Sequence, residues 1–121
     1  MAVLTSTDVD PHGIDQHQAG AKLDGEKPDA SLLLMFGNAL REVAAVGTFG
    51  AKKYSRGGWQ FVPDGINRYT AAALRHLFAS FYEKYDKESG LRHIAQFAWN
   101  ALAVLELVLR EEENDPDEGR N

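Results

Sequence analysis

The chain has 121 residues, and 44% of them are hydrophobic, which is enough for one domain with a single core. It contains no cysteine, which excludes disulfides, thiolate metal ligands and thiol nucleophiles. Thirteen Lys and Arg residues against eighteen Asp and Glu residues give a net charge of −5, which disfavours a surface that binds nucleic acid through its phosphates.

No run of about 20 apolar residues marks a membrane span. The first thirty residues are polar and lack the apolar segment of a signal peptide. We therefore expect a cytosolic protein that has neither a membrane partner nor a nucleic-acid partner.

The chain is expected to begin with an irregular arm, residues 1–28, because glycine and proline recur there without sustained periodicity. Helix A is predicted from an N-cap at Asp29 or Ser31 to about Gly47. Its apolar stripe comprises Leu32, Met35, Phe36, Ala39, Leu40, Val43 and Ala44. A loop rich in basic and aromatic residues follows.

Helix B is predicted from Asp64 or Asn67 to about Tyr85, and helix C from Leu91 to about Arg110. Helix C is apolar on two faces, one with Leu91, Ile94, Ala98, Leu102 and Leu105, the other with Phe97, Ala101, Val104 and Val108. Such a helix needs cover on both sides, which three helices can hardly supply. We therefore expect a homo-oligomer, a dimer or a tetramer, that packs through helix C.

Six acids stand in the last eleven residues beside Pro116 and Gly119, a pattern typical of a solvated, disordered tail, residues 111–121. The helical domain then spans residues 29–110, and without any strand-period segment the predicted fold class is all-α. The sequence has no P-loop and no Gly-rich dinucleotide fingerprint.

Polar residues of helices B and C are arranged symmetrically about Glu88, which lies in the tight link between them. His76 and Asn100 lie twelve positions to either side of Glu88, and Glu83 and His93 lie five to either side. In an antiparallel hairpin each pair is expected face to face. Four polar side chains would then line a seam between helices, and this indicates a functional site.

A metal site is predicted from the acids near this seam. Glu83 and Asp86 are three residues apart, so on helix B they would lie one turn apart and could share a divalent cation. Glu42 of helix A could reach the same cation. We predict these three as ligands of Mg²⁺ or Mn²⁺, with Glu83 and Glu88 acting in catalysis. The alternative is a solvated acidic helix end, with Glu42 paired to Arg41.

Cations and aromatic rings suggest a nucleotide as the ligand. Lys53 and Arg75 are predicted to bind phosphates, and Trp59 to lie against the base, although a single aromatic residue is more often part of a core. The other residues of the seam are also assigned to substrate binding: His76, His93 and Asn100. Each histidine could equally be a metal ligand, a proton carrier or a core residue, and a buried Asn100 amide would need His76 or a ligand as partner.

Five strings follow one another within residues 20–107: Gly20–Asp29, Phe49–Tyr54, Arg68–Tyr69 with Arg75–Leu77, Asp86–His93, and Ala98–Leu102. Together they resemble the phage family named dATP/dGTP diphosphohydrolase. That family is similar to the all-α nucleotide pyrophosphohydrolases of the MazG and HisE type, and some members, called MazZ, belong to phages that replace adenine with 2-aminoadenine.

The resemblance implies a MazG-like helical bundle that hydrolyses a purine deoxynucleoside triphosphate, dGTP or dATP, to the monophosphate with Mg²⁺ or Mn²⁺. Three residues of the arm are also predicted to bind the substrate: Lys22, Asp24 and Lys27. The chain departs from MazG-type enzymes because it has no Glu-Glu-x-x-Glu helix, and Gln96 stands where family members often have a histidine. Two other functions stay open: a non-catalytic helical interaction module, and a pyrophosphohydrolase of a pyrimidine triphosphate or of phosphoribosyl-ATP.

Overall fold

The computed structural model describes residues 9–115, which fall into two compact units, one ending at Phe36 and the other beginning at Gly37. In the first unit the backbone is irregular up to a 3-10 helix, Ala30–Phe36, as expected for the arm. The carboxylate of Asp10 accepts hydrogen bonds from the backbone N–H groups of Lys22 and His12, at 2.7 Å each, and these bonds lower the pKa of Asp10. One side chain therefore ties the two halves of the arm together.

The second unit contains three α-helices: α1, Gly37–Lys53, α2, Gly65–Ala79, and α3, His93–Asn114. A short 3-10 helix, Gly58–Phe61, precedes α2. Helix α3 packs against both α1 and α2 and is the central element of the unit. Within residues 9–115 there is no strand, only an isolated antiparallel bridge between Tyr85 and Arg92. The all-α prediction is confirmed.

The helix ends differ from the predicted ones. Helix α1 continues past Gly47, the predicted end, to Lys53. Gly47 allows close packing rather than ending the helix, because a Cβ there would lie 3.0 Å from Nε1 of Trp99. Helix α2 ends at Ala79, six residues before the predicted Tyr85, and α3 runs to Asn114 rather than Arg110. The part of the predicted tail from residue 116 onward lies outside the described residues.

Few apolar side chains of a single chain are buried. Among the described residues only four small ones are, namely Val46, Ala73, Ala95 and Ala103. The stripe predicted to bury helix A against the core is mostly exposed, and Leu40 in it keeps 43% of its surface accessible. Phe81, which lies beyond the end of α2, is 68% exposed. A core of this size gives a lone chain little hydrophobic stabilisation.

The best-packed cluster of large side chains consists of three aromatic rings, Trp59, Tyr69 and Trp99. Each pair meets edge to face, with ring centroids 5.6 to 6.3 Å apart. The hydroxyl of Tyr69 donates to the backbone carbonyl of Trp59 at 3.0 Å, so the 3-10 helix is attached to α2. Edge-to-face pairs are stabilising beyond the area they bury, and this cluster fixes the loop that joins α1 to α2 against α3.

One stretch of the described chain, Ala30–Lys53, is long and apolar enough to cross a membrane, judged by length and composition only. Its 24 residues contain an apolar window with a mean hydropathy of 1.3, and 6% of that window is buried. The sequence analysis did not single out this stretch. Core helices of water-soluble proteins pass the same test, so the finding by itself assigns no membrane partner.

Candidate functional site

A hairpin-like connection between α2 and α3 positions the polar residues of the predicted seam. The backbone N–H of His93 donates to the carbonyl of Lys84 at 3.0 Å, and that of Asp86 donates to the carbonyl of Leu91 at 2.8 Å. Gly90 closes the turn with φ +73°, a backbone conformation that favours glycine. These bonds bring the end of the α2 segment alongside the first residue of α3.

A chain of hydrogen bonds runs from Glu83 through His93 to His76. Oε1 of Glu83 lies 2.9 Å from Nε2 of His93, and Nδ1 of His93 lies 2.9 Å from Nδ1 of His76. His93 is 5% exposed, and each of its two ring nitrogens has one of these side chains as its hydrogen-bond partner. The predicted pairing of Glu83 with His93 is confirmed. The predicted pairing of His76 with Asn100 is not found, because His76 faces His93 instead.

Burial lowers the pKa of His76, and the neighbouring His93 ring lowers it further, although the negative charge of Asp86 opposes the shift. The shift goes in the direction expected for a partly desolvated imidazole, since burial disfavours the charged form. The uncharged form of His76 is therefore favoured at this position.

Asp86 stabilises the turn that joins α2 to α3 by accepting hydrogen bonds. Its Oδ2 accepts hydrogen bonds from Oγ of Ser89 at 2.9 Å and from Nε2 of Gln96 at 3.0 Å. The premise that Glu83 and Asp86 lie one turn apart on a helix is wrong, because α2 ends at Ala79. Gln96, noted in the sequence as a departure from the family, is a hydrogen-bond donor to this turn.

Replacing Asp86 with Asn should destabilise the fold by about 1 kcal/mol at pH 7, because the neutral amide oxygen accepts these hydrogen bonds more weakly than the charged carboxylate does. Burial raises the pKa of Asp86, but its hydrogen bonds with Gln96 and Ser89 outweigh burial, so the pKa lies below its ordinary value of 3.8. Because the pKa is lowered in the folded state, the Asp86 carboxylate stabilises the fold fully above pH 3.8, its ordinary pKa. This stabilisation is lost as the pH falls through the pKa of the folded state. The difference between wild type and variant should therefore shrink in acid, as measured by urea unfolding at pH 7 and below pH 3.

Asp24→Asn is the matched control, because no hydrogen bond to the Asp24 side chain is found in the described residues, and it should change the free energy of unfolding little at either pH. A loss for Asp86→Asn of the same size at both pH values would contradict the assignment.

The other predicted acids are paired with cations. Oε1 of Glu42 lies 3.3 Å from Nε of Arg92, and Oε1 of Glu88 lies 2.8 Å from Nζ of Lys53. The hydrogen bond to Glu88 raises the pKa of Lys53. Within residues 9–115 no group of three or more His, Cys, Asp or Glu side chains is placed to hold a metal ion. The donors of one chain therefore do not fit the predicted Mg²⁺ or Mn²⁺ site as they stand.

A surface depression of about 420 Å³ adjoins Glu83, within the size range of small-molecule sites. It is lined by one carboxylate, two cations, a serine hydroxyl and three large aromatic or aliphatic side chains: Ser80, Phe81, Tyr82, Glu83, Lys84, Arg92 and Ile94. The sequence analysis missed Lys84 and Arg92 as candidate phosphate ligands. The sequence could have indicated them, because Lys84 directly follows Glu83 and Arg92 directly precedes His93.

The remaining predicted residues are not gathered at Glu83. Asn100 is 7% exposed, and its Nδ2 donates to the carbonyl of Gln96 in its own helix at 2.7 Å, so the expected partner, His76 or a ligand, is not needed. Trp59 packs on Trp99, which lies six residues beyond His93, or about 9 Å along α3. Arg75 is exposed on α2, one position before His76. Three predicted residues lie in the first unit, and their role stays a prediction: Lys22, Asp24 and Lys27.

The chain was compared with known families, curated proteins and solved structures. Residues 17–117 match the model of the family described as dATP/dGTP diphosphohydrolase, N-terminal. The chain belongs to this family. No curated protein and no solved structure matches it. The dATP/dGTP diphosphohydrolase match includes all three helices and the connection that carries Glu83, so the seam described above lies wholly within the family's domain.

Proposed function

We propose that this chain hydrolyses dATP or dGTP to the monophosphate at the site formed by Glu83, His93 and the adjoining depression. The observation that carries the proposal is the Glu83–His93–His76 chain of hydrogen bonds within the diphosphohydrolase domain. Titratable groups connected in this way, at the edge of a depression, are characteristic of hydrolytic sites. As the sequence resemblance implies, the reaction would belong to the nucleotide metabolism of a phage with 2-aminoadenine in its DNA, in the host cytoplasm.

The depression would hold the triphosphate. Lys84 and Arg92 line it, and Arg can bind a phosphate through two parallel hydrogen bonds. Tyr82 is 91% exposed and Phe81 68% exposed, so their rings are available to a purine base. Lys53 does not line the depression. It pairs with Glu88 at 2.8 Å, and a phosphate could replace that carboxylate as its partner.

Mg²⁺ or Mn²⁺ remains part of the proposal as an expected cofactor of triphosphate hydrolysis, although the donors of one chain do not form a complete metal site. We therefore assign no step to a metal ion. Adding and removing the cation in the assay below tests this part separately.

We propose further that the protein is a homo-oligomer that packs through α3. Large apolar side chains on this helix are open to solvent in the single chain, with Ile94 48%, Leu102 52% and Leu105 54% exposed. Exposed apolar patches of this kind mark interaction surfaces, and a second copy presents the same self-complementary face.

Replacing Leu105 with Glu should convert the oligomer to a monomer, since each interface would gain buried charges without partners. Light scattering after size-exclusion chromatography measures the mass directly. Leu33→Glu is the control, because Leu33 is 59% exposed but lies in the first unit, and it should leave the mass unchanged. A wild-type chain that is a monomer at every concentration would contradict the proposal.

The proposed function is tested with a panel of purine and pyrimidine nucleoside triphosphates, each incubated with Mg²⁺, with Mn²⁺ or with EDTA. Chromatography then separates triphosphate, diphosphate and monophosphate. We expect dGTP or dATP to give the monophosphate faster than any pyrimidine triphosphate does. The absence of hydrolysis of every substrate under all three conditions would favour the interaction module instead.

A further inference from the structure

Two cations that line the depression contact the same aromatic ring. Nζ of Lys84 lies 6.0 Å from the ring centroid of Tyr85, and Cζ of Arg92 lies 5.3 Å from it. Lys84 and Arg92 belong to the lining of the depression, whereas Tyr85 does not. A cation over the face of a Tyr ring is attracted by the negative face of that ring. The ring therefore restricts the positions that both charges can take.

The backbone places Tyr85 opposite Arg92. These two residues form the isolated antiparallel bridge between the end of the α2 segment and the start of α3. The backbone N–H of His93 also donates to the carbonyl of Lys84, at 3.0 Å, which fixes the register of the bridge. Side chains of directly opposed residues in an antiparallel pair are close enough to interact. The contact between ring and guanidinium thus follows from the fold of the connection.

Arg92 keeps donors for a ligand. Oε1 of Glu42, on α1, lies 3.3 Å from Nε of Arg92. Among the described residues the two terminal nitrogens of Arg92 have no hydrogen-bond partner, and the side chain is 42% exposed. These two nitrogens are donors of the fork with which Arg binds a phosphate. Glu42 and Tyr85 therefore hold the guanidinium and leave its terminal donors available.

Lys84 has no counter-ion within residues 9–115. The carboxylate of Glu83 lies in the same lining, but its Oε1 contacts Nε2 of His93 at 2.9 Å. The lining thus carries two cations against one carboxylate that already has a partner. A surface with such an excess of positive charge attracts an anion, and a triphosphate has the charge and the length to contact both cations.

We propose that Tyr85 is a positioning residue for triphosphate binding, an assignment that rests on the proposed function. Its ring keeps the Lys84 ammonium and the Arg92 guanidinium together at the depression, so that one triphosphate contacts both. Long cationic side chains lose rotamer freedom when they bind a ligand, and a ring that restricts them beforehand lowers this cost. Tyr85 acts through the two cations and is not a catalytic residue.

The first test measures binding and needs no turnover. The probe is a dGTP analogue with a methylene group between the α- and β-phosphates, titrated calorimetrically in the presence of Mg²⁺. Ordering one long side chain is equivalent to about 2- to 10-fold in Kd. Because the ring restricts two such side chains, Tyr85→Leu should raise Kd about 5-fold or more.

Two variants are the controls for this binding test. Tyr85→Phe keeps the ring and should bind within about 2-fold of the wild type. Phe61→Leu removes an 83% exposed ring that does not line the depression, and it should leave Kd unchanged. A Kd for Tyr85→Leu within about 2-fold of the wild type would overturn the assignment, as would equal weakening in Tyr85→Phe, which would implicate the hydroxyl instead of the ring.

The second test examines whether Tyr85 acts through Arg92. Arg92→Gln removes the guanidinium, so the ring has one cation fewer to position. In the variant that carries both Tyr85→Leu and Arg92→Gln, Kd should therefore rise by less than the product of the two single effects. Effects that multiply would show that the ring does not act through Arg92 and would overturn the assignment.

The third test separates positioning from folding and from catalysis. Tyr85→Leu should raise KM for the best triphosphate and change kcat little, with helix content unchanged by circular dichroism. A loss of kcat at constant KM would overturn the assignment. If Tyr85→Leu loses helix content, Tyr85→Ile takes its place, because a β-branched residue suits an extended bridge.

The proposed function and the Tyr85 assignment fail in different ways. A wild-type protein that binds the analogue but hydrolyses no triphosphate would refute the proposed function, while the Tyr85 assignment stands if the Kd values change as expected. An active Tyr85→Leu with wild-type KM and Kd would refute the assignment alone. A wild-type protein that does not bind the analogue would refute the assignment directly.

Discussion

Glu83→Gln is expected to lower kcat about 100- to 10,000-fold while the helices still form. Gln replaces the carboxylate that lines the depression and contacts His93 with a neutral amide, which removes the negative charge from the proposed site. The measurement is steady-state hydrolysis of dGTP and dATP, with far-ultraviolet circular dichroism to verify the helix content.

Glu83→Asp is the matched control for charge. It keeps the carboxylate on a side chain that is shorter by one methylene, so we expect a smaller loss of kcat than for Gln. Turnover of Glu83→Gln at the wild-type rate would show that the Glu83 carboxylate is not needed for catalysis. Loss of helix content in Glu83→Gln would show instead that Glu83 is needed for folding.

Trp99→Ala is expected to give the largest loss of stability of any single substitution proposed for this chain, about 3 to 5 kcal/mol, the range for deleting a packed indole ring. Trp99 packs edge to face on both Trp59 and Tyr69, and its Nε1 lies against Gly47, so the ring joins α1 and the Gly58–Phe61 helix to α3. Few other large side chains are packed in this unit, and none can compensate for its loss. Urea unfolding at a fixed protein concentration measures the effect.

Two variants calibrate that measurement. Trp99→Phe keeps an aromatic ring and should lose less stability than Trp99→Ala. Phe61→Ala removes an aromatic side chain that is 83% exposed, and it should change the free energy of unfolding by less than about 0.5 kcal/mol. If Trp99→Ala were as stable as Phe61→Ala, the aromatic cluster would not be the centre of the fold.

Sequence spacing predicted the pairing of Glu83 with His93 correctly, because a short link between two antiparallel segments leaves only one way to align them. The symmetry argument failed further from the link. It assumed that helix B continues to Tyr85, whereas α2 ends at Ala79 and the chain reaches α3 through a turn held by backbone hydrogen bonds. His76 therefore faces His93 rather than Asn100, and Asp86 accepts hydrogen bonds within a turn instead of lying one helical turn from Glu83.

The all-α class followed from helical periodicity, but the burial of the helices did not. The apolar stripe of helix A was predicted to face a core, and Leu40 and Met35 in it are 43% and 81% exposed. Periodicity identifies the apolar face of a helix and not the molecule that covers it. The two-sided apolar pattern of helix C did predict a need for additional cover, and the exposure of Leu102 and Leu105 on α3 is consistent with that reasoning.

Residues far apart in sequence were the hardest to assign. Arg92 pairs with Glu42 across fifty residues, and Lys53 pairs with Glu88 across thirty-five, so two of the four acids proposed as metal ligands or catalysts have a cation beside them. No local spacing contains that information, since it depends on how α1 packs against α3. The same packing leaves Trp59 beside Trp99 rather than beside Glu83.

The most direct measurement of the central claim is an NMR titration of the wild-type protein with a dGTP analogue in which a methylene group replaces the oxygen between the α- and β-phosphates. If the site at Glu83 binds the triphosphate, the largest shift changes should fall on the His76 and His93 imidazoles and on the backbone of residues 80–96. Shift changes confined to the Trp59 and Trp99 indoles, or no binding at all, would contradict it.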